Sequence, residues 1–264
     1  MTFSDSHCHL DFEAFAADLP AVIERAANAD VSIFLIPSLD ALSAAAGLEI
    51  ASQHPGIMWV GVGIHPNTPA GDVPEAIRQL RTLARREEAR AIGEIGLDYY
   101  RDYTSPSDQR KLFQAQLDLA AELDLPVLIH CREAQADVEA MLTDWHHALP
   151  AASPLKANPG VLHAFSGDAG NAERLGALGF CFGIAGPITY PSAGERRALL
   201  RQLPLKQILL ETDAPFLSPQ AHRGKRNEPA YIPIIARTVS EVLEISMEEL
   251  ASLTTGNLRR MLRL

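Results

Sequence analysis

His7 and His9 stand one residue apart near the head of the chain, in Asp5-Ser6-His7-Cys8-His9. In an extended segment residues i and i+2 project to one face, so the two imidazoles form a chelating pair for a divalent metal, with Cys8 turned to the other face. Four more residues of ligand type lie farther along: Glu94, His130, His163 and Asp213. Four imidazoles and two carboxylates without a thiolate suit Zn, Mn, Co or Mg with retained waters. Six ligands exceed the needs of one catalytic zinc with an open position, but suit two ions sharing a carboxylate, for which Glu94 is the natural bridge. Each residue alone has a plain structural reading, as a hydrogen-bonded rim histidine or a helix-capping acid. Only a common location makes them a centre.

That location follows from the rhythm of the sequence. Eight short apolar runs alternate with helical segments: Phe3–Cys8, Ser32–Ile36, Met58–Gly63, Ala91–Ile95, Val127–His130, Val161–His163, Phe180–Gly183 and Ile208–Glu211. The stretch 109–123 shows the helical period, with Leu112, Phe113, Gln116, Leu119, Ala120 and Leu123 on one side. Repeated strand–helix units give a parallel sheet with right-handed crossovers. Eight of them in 264 residues favour closure into a (β/α)8 TIM barrel, with an open doubly wound sheet as the other arrangement. No GxGxxG turn follows the first run, so a dinucleotide-binding open sheet has no support. No linker, repeat or low-complexity tract divides the chain, and residues 1–264 are read as a single domain. In such a barrel His7 and His9 end strand one, Glu94 strand four, His130 strand five and His163 strand six, while Asp213 follows strand eight. All six then share the C-terminal rim, where barrel enzymes carry their active sites.

Composition limits the function classes. The net charge of −10 gives an acidic surface without general affinity for nucleic acid or anionic membrane, so a polyanion must be drawn by bound metal and a local basic cluster. No apolar stretch is long enough to span a membrane, and Met1–Asp11 does not read as a signal peptide, which suggests a cytoplasmic protein. Three cysteines, Cys8, Cys131 and Cys181, are odd in number and far apart, as expected of reduced, buried thiols. The acidic surface favours a monomer. After the eighth strand run, 215–229 is a long irregular loop carrying Arg223, Lys225, Arg226 and Asn227, whose forks and flexible glycine suit phosphate contacts. Tyr99, Tyr100 and Tyr103 follow Glu94 and either stack on an unpaired base or anchor the loop. Glu211 is placed to hydrogen-bond a metal-ligating imidazole or to pair inside the barrel, and Glu228 to pair with an arginine.

Seven segments in order give these features a family likeness: DSHCHLD at 5–11, GIHP at 63–66, GEIGLDYY at 93–100, PVLIHCREA at 126–134, VLHAFSG at 161–167, LLETDAPFLSP at 209–219 and RGKRNEP at 223–229. Over essentially its whole length the chain resembles the TatD-family metal-dependent deoxyribonucleases of the amidohydrolase-like barrel group. The resemblance implies two divalent ions (Mg, Mn or Zn) and 3′–5′ hydrolysis of phosphodiester bonds in single-stranded or frayed DNA, in repair or turnover. It implies His7 and His9 as ligands of one metal, Glu94 as the carboxylate touching both, and His130 and His163 as ligands of the second. Asp213 would hold the first metal and handle the proton of the attacking water, and His65 would lie near the scissile phosphate. At two positions the chain departs from the family pattern, with Ala164 where cysteine is common and Asn67 where histidine or glutamate is common. A barrel amidohydrolase or lactonase acting on a small molecule is the alternative, although such enzymes often bridge their metals with a lysine that is absent from the fourth strand here.

Overall fold

A computed structural model describes residues 2–264. Eight strands follow one another around a closed sheet in sequence order, and every neighbouring pair is parallel. They are β1 (Phe3–Asp5), β2 (Val31–Pro37), β3 (Met58–Gly61), β4 (Ala89–Asp98), β5 (Val127–Arg132), β6 (Gly160–Leu162), β7 (Cys181–Ile184) and β8 (Ile208–Leu210). Helices α1 (Glu13–Ala16), α2 (Leu19–Asn28), α3 (Ala41–Ser52), α4 (Val73–Leu83), α5 (Pro106–Leu123), α6 (Gln135–Ala148), α7 (Ala169–Ala177) and α8 (Gly194–Leu200) fill the crossovers. Helices α9 (Ile232–Leu243) and α10 (Met247–Leu262) end the chain. The (β/α)8 barrel expected from the alternation is the observed fold. No described helix is long and apolar enough to cross a membrane.

Most strand boundaries shift by one to three residues from the sequence expectation, and two of the shifts matter at the rim. β1 leaves the regular ladder after Asp5, so His7 and His9 lie beyond it on chain that stays extended. Cys8 makes a parallel bridge to Ala214, and the Asp213 N–H donates to the His7 carbonyl at 2.8 Å, which closes the barrel between its first and last strands. β4 is longer than expected: it runs to Asp98, which places Glu94 within the strand rather than at its end.

The barrel interior is an apolar layer of Ile33, Leu35, Ala91, Leu128, Val161, Cys181 and Leu209, plugged from below by Leu258, Met261 and Leu262 of α10. Each buried aliphatic side chain of this kind contributes about 1.5–3 kcal/mol. This floor leaves the polar side chains above it only the C-terminal mouth. Outside the barrel, α5 starts at Ser105, whose hydroxyl accepts the Asp108 N–H, with Pro106 in the first turn where its missing donor is harmless. Its Gln109 and Gln116, two turns apart on one face, are buried and pair with main chain at the rim. Gln109 accepts the Asp98 N–H and donates to the Asp98 carbonyl, each at 2.8 Å. Gln116 does the same for Ile64, at 2.7 and 3.1 Å, fixing the segment that carries His65.

Candidate metal centre

Glu94 occupies the middle of the mouth, and its two carboxylate oxygens face different histidine pairs. Oε2 lies 3.4 Å from His7 Nε2 and 3.8 Å from His9 Nε2, while Asp213 Oδ1 is 3.7 and 3.5 Å from the same two nitrogens. Oε1 lies 2.8 Å from His130 Nδ1 and 3.0 Å from His163 Nε2, which are 3.3 Å from each other. Ligands held about 2.1 Å from one ion at octahedral or tetrahedral angles stand about 3.0–3.4 Å apart, so these separations are close to those of two coordination shells sharing one carboxylate. His7-His9-Glu94 and His65-Glu94-His130 each converge their donor atoms tightly enough to hold an ion. The imidazole of His7 is fully buried, and neither ring nitrogen has a hydrogen-bond partner among the described residues. An orphaned buried polar atom is costly, and a cation between His7, His9, Glu94 and Asp213 would satisfy it. The donor set therefore fits a pair of divalent ions.

The two carboxylates and His7 are in the states that fit requires, whereas the other three histidines must shed a proton to bind. Burial opposes charge on Glu94, but His163, His65 and His7 and the contact with His130 hold its carboxyl well below the usual range. Asp213 is likewise buried yet held low by His9, His163 and His7. Burial and the neighbouring His163 lower His7, leaving its lone pair free. His9, His130 and His163 are raised: burial works against their charge, and the carboxylates around them outweigh it. Cys8 is no ligand. Burial pushes its thiol well up, and its Sγ turns 3.8 Å from the Leu35 carbonyl, away from the histidines.

Several supports hold the cluster. Asp213 has φ 57°, in the left-handed region that non-glycine residues seldom adopt, locked by its N–H to His7 and by the Phe216 N–H donating to its carbonyl at 2.7 Å. Glu211, fully buried, stands behind His163 with Oε1 3.7 Å from Nδ1. Glu211 Oε1 also accepts the Ala164 N–H, and its Oε2 accepts the Ser6 hydroxyl at 3.3 Å, so both oxygens are already engaged by protein donors. The contact at Ala164 is made by its main chain. Glu211 fits only because residue 183 is glycine: a Cβ there would lie 2.1 Å from Oε2.

His65 reaches the mouth as well, its Nε2 3.7 Å from Glu94 Oε1, and burial lowers its pKa to about 4. Asn67, the position that departs from the family pattern, faces away from Glu94 and bonds Asp98 instead. Asp98 went unnoticed in the sequence. The signal was there, because Glu94, Gly96 and Asp98 alternate onto one face of a strand.

The basic loop after β8 is only partly turned outward. Arg223 and Lys225 are exposed, whereas Arg226 forms a two-pronged ion pair with Asp18 at 2.7 and 2.8 Å, and Asn227 is buried with its amide on the Thr212 and Phe216 carbonyls. Arg226 and Asn227 therefore tie the loop to the barrel, and Arg223 and Lys225 are the members of the expected set left exposed. Glu228 pairs with Arg25 at 2.6 Å. Tyr99 is an anchor, its hydroxyl bonding Asp137 at 2.5 Å, while Tyr100 and Tyr103 stay exposed with the Arg132 guanidinium 3.7 Å over the Tyr100 ring. A cleft of about 910 Å³ opens from His130, His163 and Asp213 and passes Arg132 and Arg196.

Known proteins show the same pattern at full length. Residues 4–263 match the family model described as TatD related DNase. The chain is 39% identical over 265 residues to a 3′-5′ ssDNA/RNA exonuclease TatD of Erwinia tasmaniensis, covering 98% of this chain and 99% of that one. It is 34% identical over 260 residues to the metal-dependent hydrolase YabD of Bacillus subtilis, covering 98% of both. Among solved structures, YJJV, a TatD homologue of Escherichia coli, superposes with a TM-score of 0.90 at 32% identity over 99% of this chain and 98% of that one. With its barrel, its seven motifs and its glutamate-centred histidine cluster, the chain belongs to the family of TatD related DNases.

Proposed function

We propose that the chain is a two-metal exonuclease that shortens single-stranded nucleic acid or frayed DNA ends; its relatives of Erwinia and Yersinia are named 3′-5′ ssDNA/RNA exonucleases. The observation that carries this reading is the division of labour at Glu94, whose two oxygens each face a histidine pair. His7, His9, Asp213 and Glu94 would hold one ion, and His130 and His163, with Glu94 shared, would hold the other. The imidazole and carboxylate donors suit Zn, Mn or Mg. When bound, such ions acidify a water and offset the charge that grows on phosphoryl oxygens.

The chain's own groups do the rest. Asp213 is anionic at neutral pH and sits at the edge of the cluster, where it accepts the proton of the attacking water. His65 is neutral and presents Nε2 to the same space, where its N–H would donate a hydrogen bond to a phosphate oxygen. The open cleft beside Arg132 and Arg196 has room for a strand rather than a small molecule alone, and this favours a polymer over the substrates of small-molecule barrel hydrolases.

The test is an incubation of metal-loaded protein with 5′-labelled and 3′-labelled single strands. Stepwise, chelator-sensitive shortening from the 3′ end is expected. Intact strands under every metal tried, with a small phosphodiester or ester turned over instead, would overturn the assignment.

A further inference from the structure

Asn67 bonds one of the two histidines on the β3–β4–β5 side of the mouth directly and stands behind the other through Asp98. Its main-chain N–H donates to His65 Nδ1 at 3.0 Å. A ring nitrogen that accepts a hydrogen bond carries no proton, so the proton of neutral His65 sits on Nε2, the nitrogen facing Glu94. Its side-chain amide donates to Asp98 Oδ2 at 2.8 Å, and that same oxygen lies 3.3 Å from His130 Nε2. The opposite amide rotamer would set Oδ1 of Asn67 against a carboxylate oxygen, so the orientation is forced. The other oxygen, Asp98 Oδ1, accepts the N–H groups of Tyr100 and Arg101 at 3.0 and 3.1 Å. Asp98 is buried and surrounded by donors, and the one role left to His130 Nε2 is to donate as well.

The consequence differs for the two rings, whose centroids are 4.5 Å apart. The two rings are turned oppositely. With Nε2 of His130 given to Asp98, Nδ1 is the nitrogen left for a metal, 2.8 Å from Glu94 Oε1 and 3.3 Å from His163 Nε2, while His65 points its Nε2–H into the mouth. His65 lies close enough to Glu94 to be mistaken for a ligand, and its tautomer prevents that.

We propose that Asn67 is a positioning residue that sorts these neighbours, making His65 a hydrogen-bond donor toward substrate through its main chain and, through Asp98, making His130 an Nδ1 metal ligand. The inference rests on the reading of the mouth as a metal centre, not on the choice of substrate. Asp98 acts as the carboxylate behind a ligating imidazole, a partner whose loss generally weakens metal affinity about ten- to hundredfold.

The test uses Zn-loaded full-length protein with 15N-labelled histidine, followed by long-range 1H–15N spectra and chelator-competition affinities, with no nucleic acid present. In the wild type, His130 should show a protonated Nε2 and a metal-bound Nδ1, and His65 a protonated Nε2 with no metal. Asn67→Ala keeps the main-chain donor, so His65 should be unchanged while zinc affinity falls about tenfold. Asp98→Ala should lower it about ten- to hundredfold. Asp98→Asn, which keeps the shape should alanine fail to fold, should fall between them. A metal on His65, a proton on His130 Nδ1, or variants with wild-type affinity would overturn the proposal. Because the readouts need no substrate, a protein with these tautomers that leaves DNA intact would refute only the exonuclease reading.

Discussion

Asp213 combines a left-handed backbone, burial and a depressed pKa, a costly state for a residue that merely caps a turn. Asp213→Asn keeps the shape and removes the base, so strand shortening should fall by about 10²–10⁴. Circular dichroism should be unaltered, and full activity in the variant would remove Asp213 from proton transfer. Arg226 shows the opposite case. A sequence reading puts it on phosphate, but its guanidinium is spent on Asp18 and lies 4.8 Å over the Phe15 ring. Arg226→Ala should therefore lower the melting temperature without weakening oligonucleotide binding, whereas Arg223→Ala should weaken binding and reduce its salt dependence. Binding measured at two salt concentrations separates these outcomes.

At the scale of elements, the site depends on how closely β7 and β8 approach. Gly183 on β7 leaves the space that Glu211, one residue past β8, fills behind His163. Gly183→Ala should push Glu211 off Ser6 and Ala164, at a cost of about 1–3 kcal/mol for overpacking. For a chain of this size that corresponds to about 2–4 °C in melting temperature per kcal/mol, read by calorimetry. Metal affinity should fall with it, since the carboxylate behind His163 is displaced. An alanine variant with wild-type melting and affinity would show that Glu211 is not needed there. α5 acts similarly from outside, because Gln109 and Gln116 hold Asp98 and Ile64 and so set where His130 and His65 point.

For the whole molecule, the cluster couples metal, protons and stability. The raised folded-state values of His9, His130 and His163 mean that in metal-free protein their contribution is full below the unfolded value of about 6.5. That contribution is lost as pH rises through the raised values. Glu94 and Asp213 are depressed, so theirs is present above the ordinary carboxylate range and lost as pH falls through the folded values. Metal reverses the histidine trend, because a ligating imidazole must shed its proton. Zinc affinity should rise with pH above 6.5, with proton release seen by calorimetry in buffers of different ionisation enthalpy. At a hundredfold excess over Kd, metal should add about 2.7 kcal/mol to stability. A melting temperature indifferent to zinc at every pH would contradict the two-ion centre.

The sequence alone determined the strand–helix rhythm, hence the barrel, and the identity of the residues that gather at its mouth. Both are legible because strand period and ligand type are local properties of the chain. It did not determine that β4 runs past Glu94 to Asp98, or that Arg226 and Asn227 serve the fold. Nor did it show that Asn67 bonds His65 directly and backs His130 through Asp98. Those matters depend on which side chain meets which across strands far apart in sequence: Arg226 finds Asp18 208 positions away, and Asn67 finds Asp98 31 positions away. The tautomers of His65 and His130 have no sequence signature, because a proton's place on a ring is set by the acceptor or donor opposite it, and only the closed barrel brings those partners together.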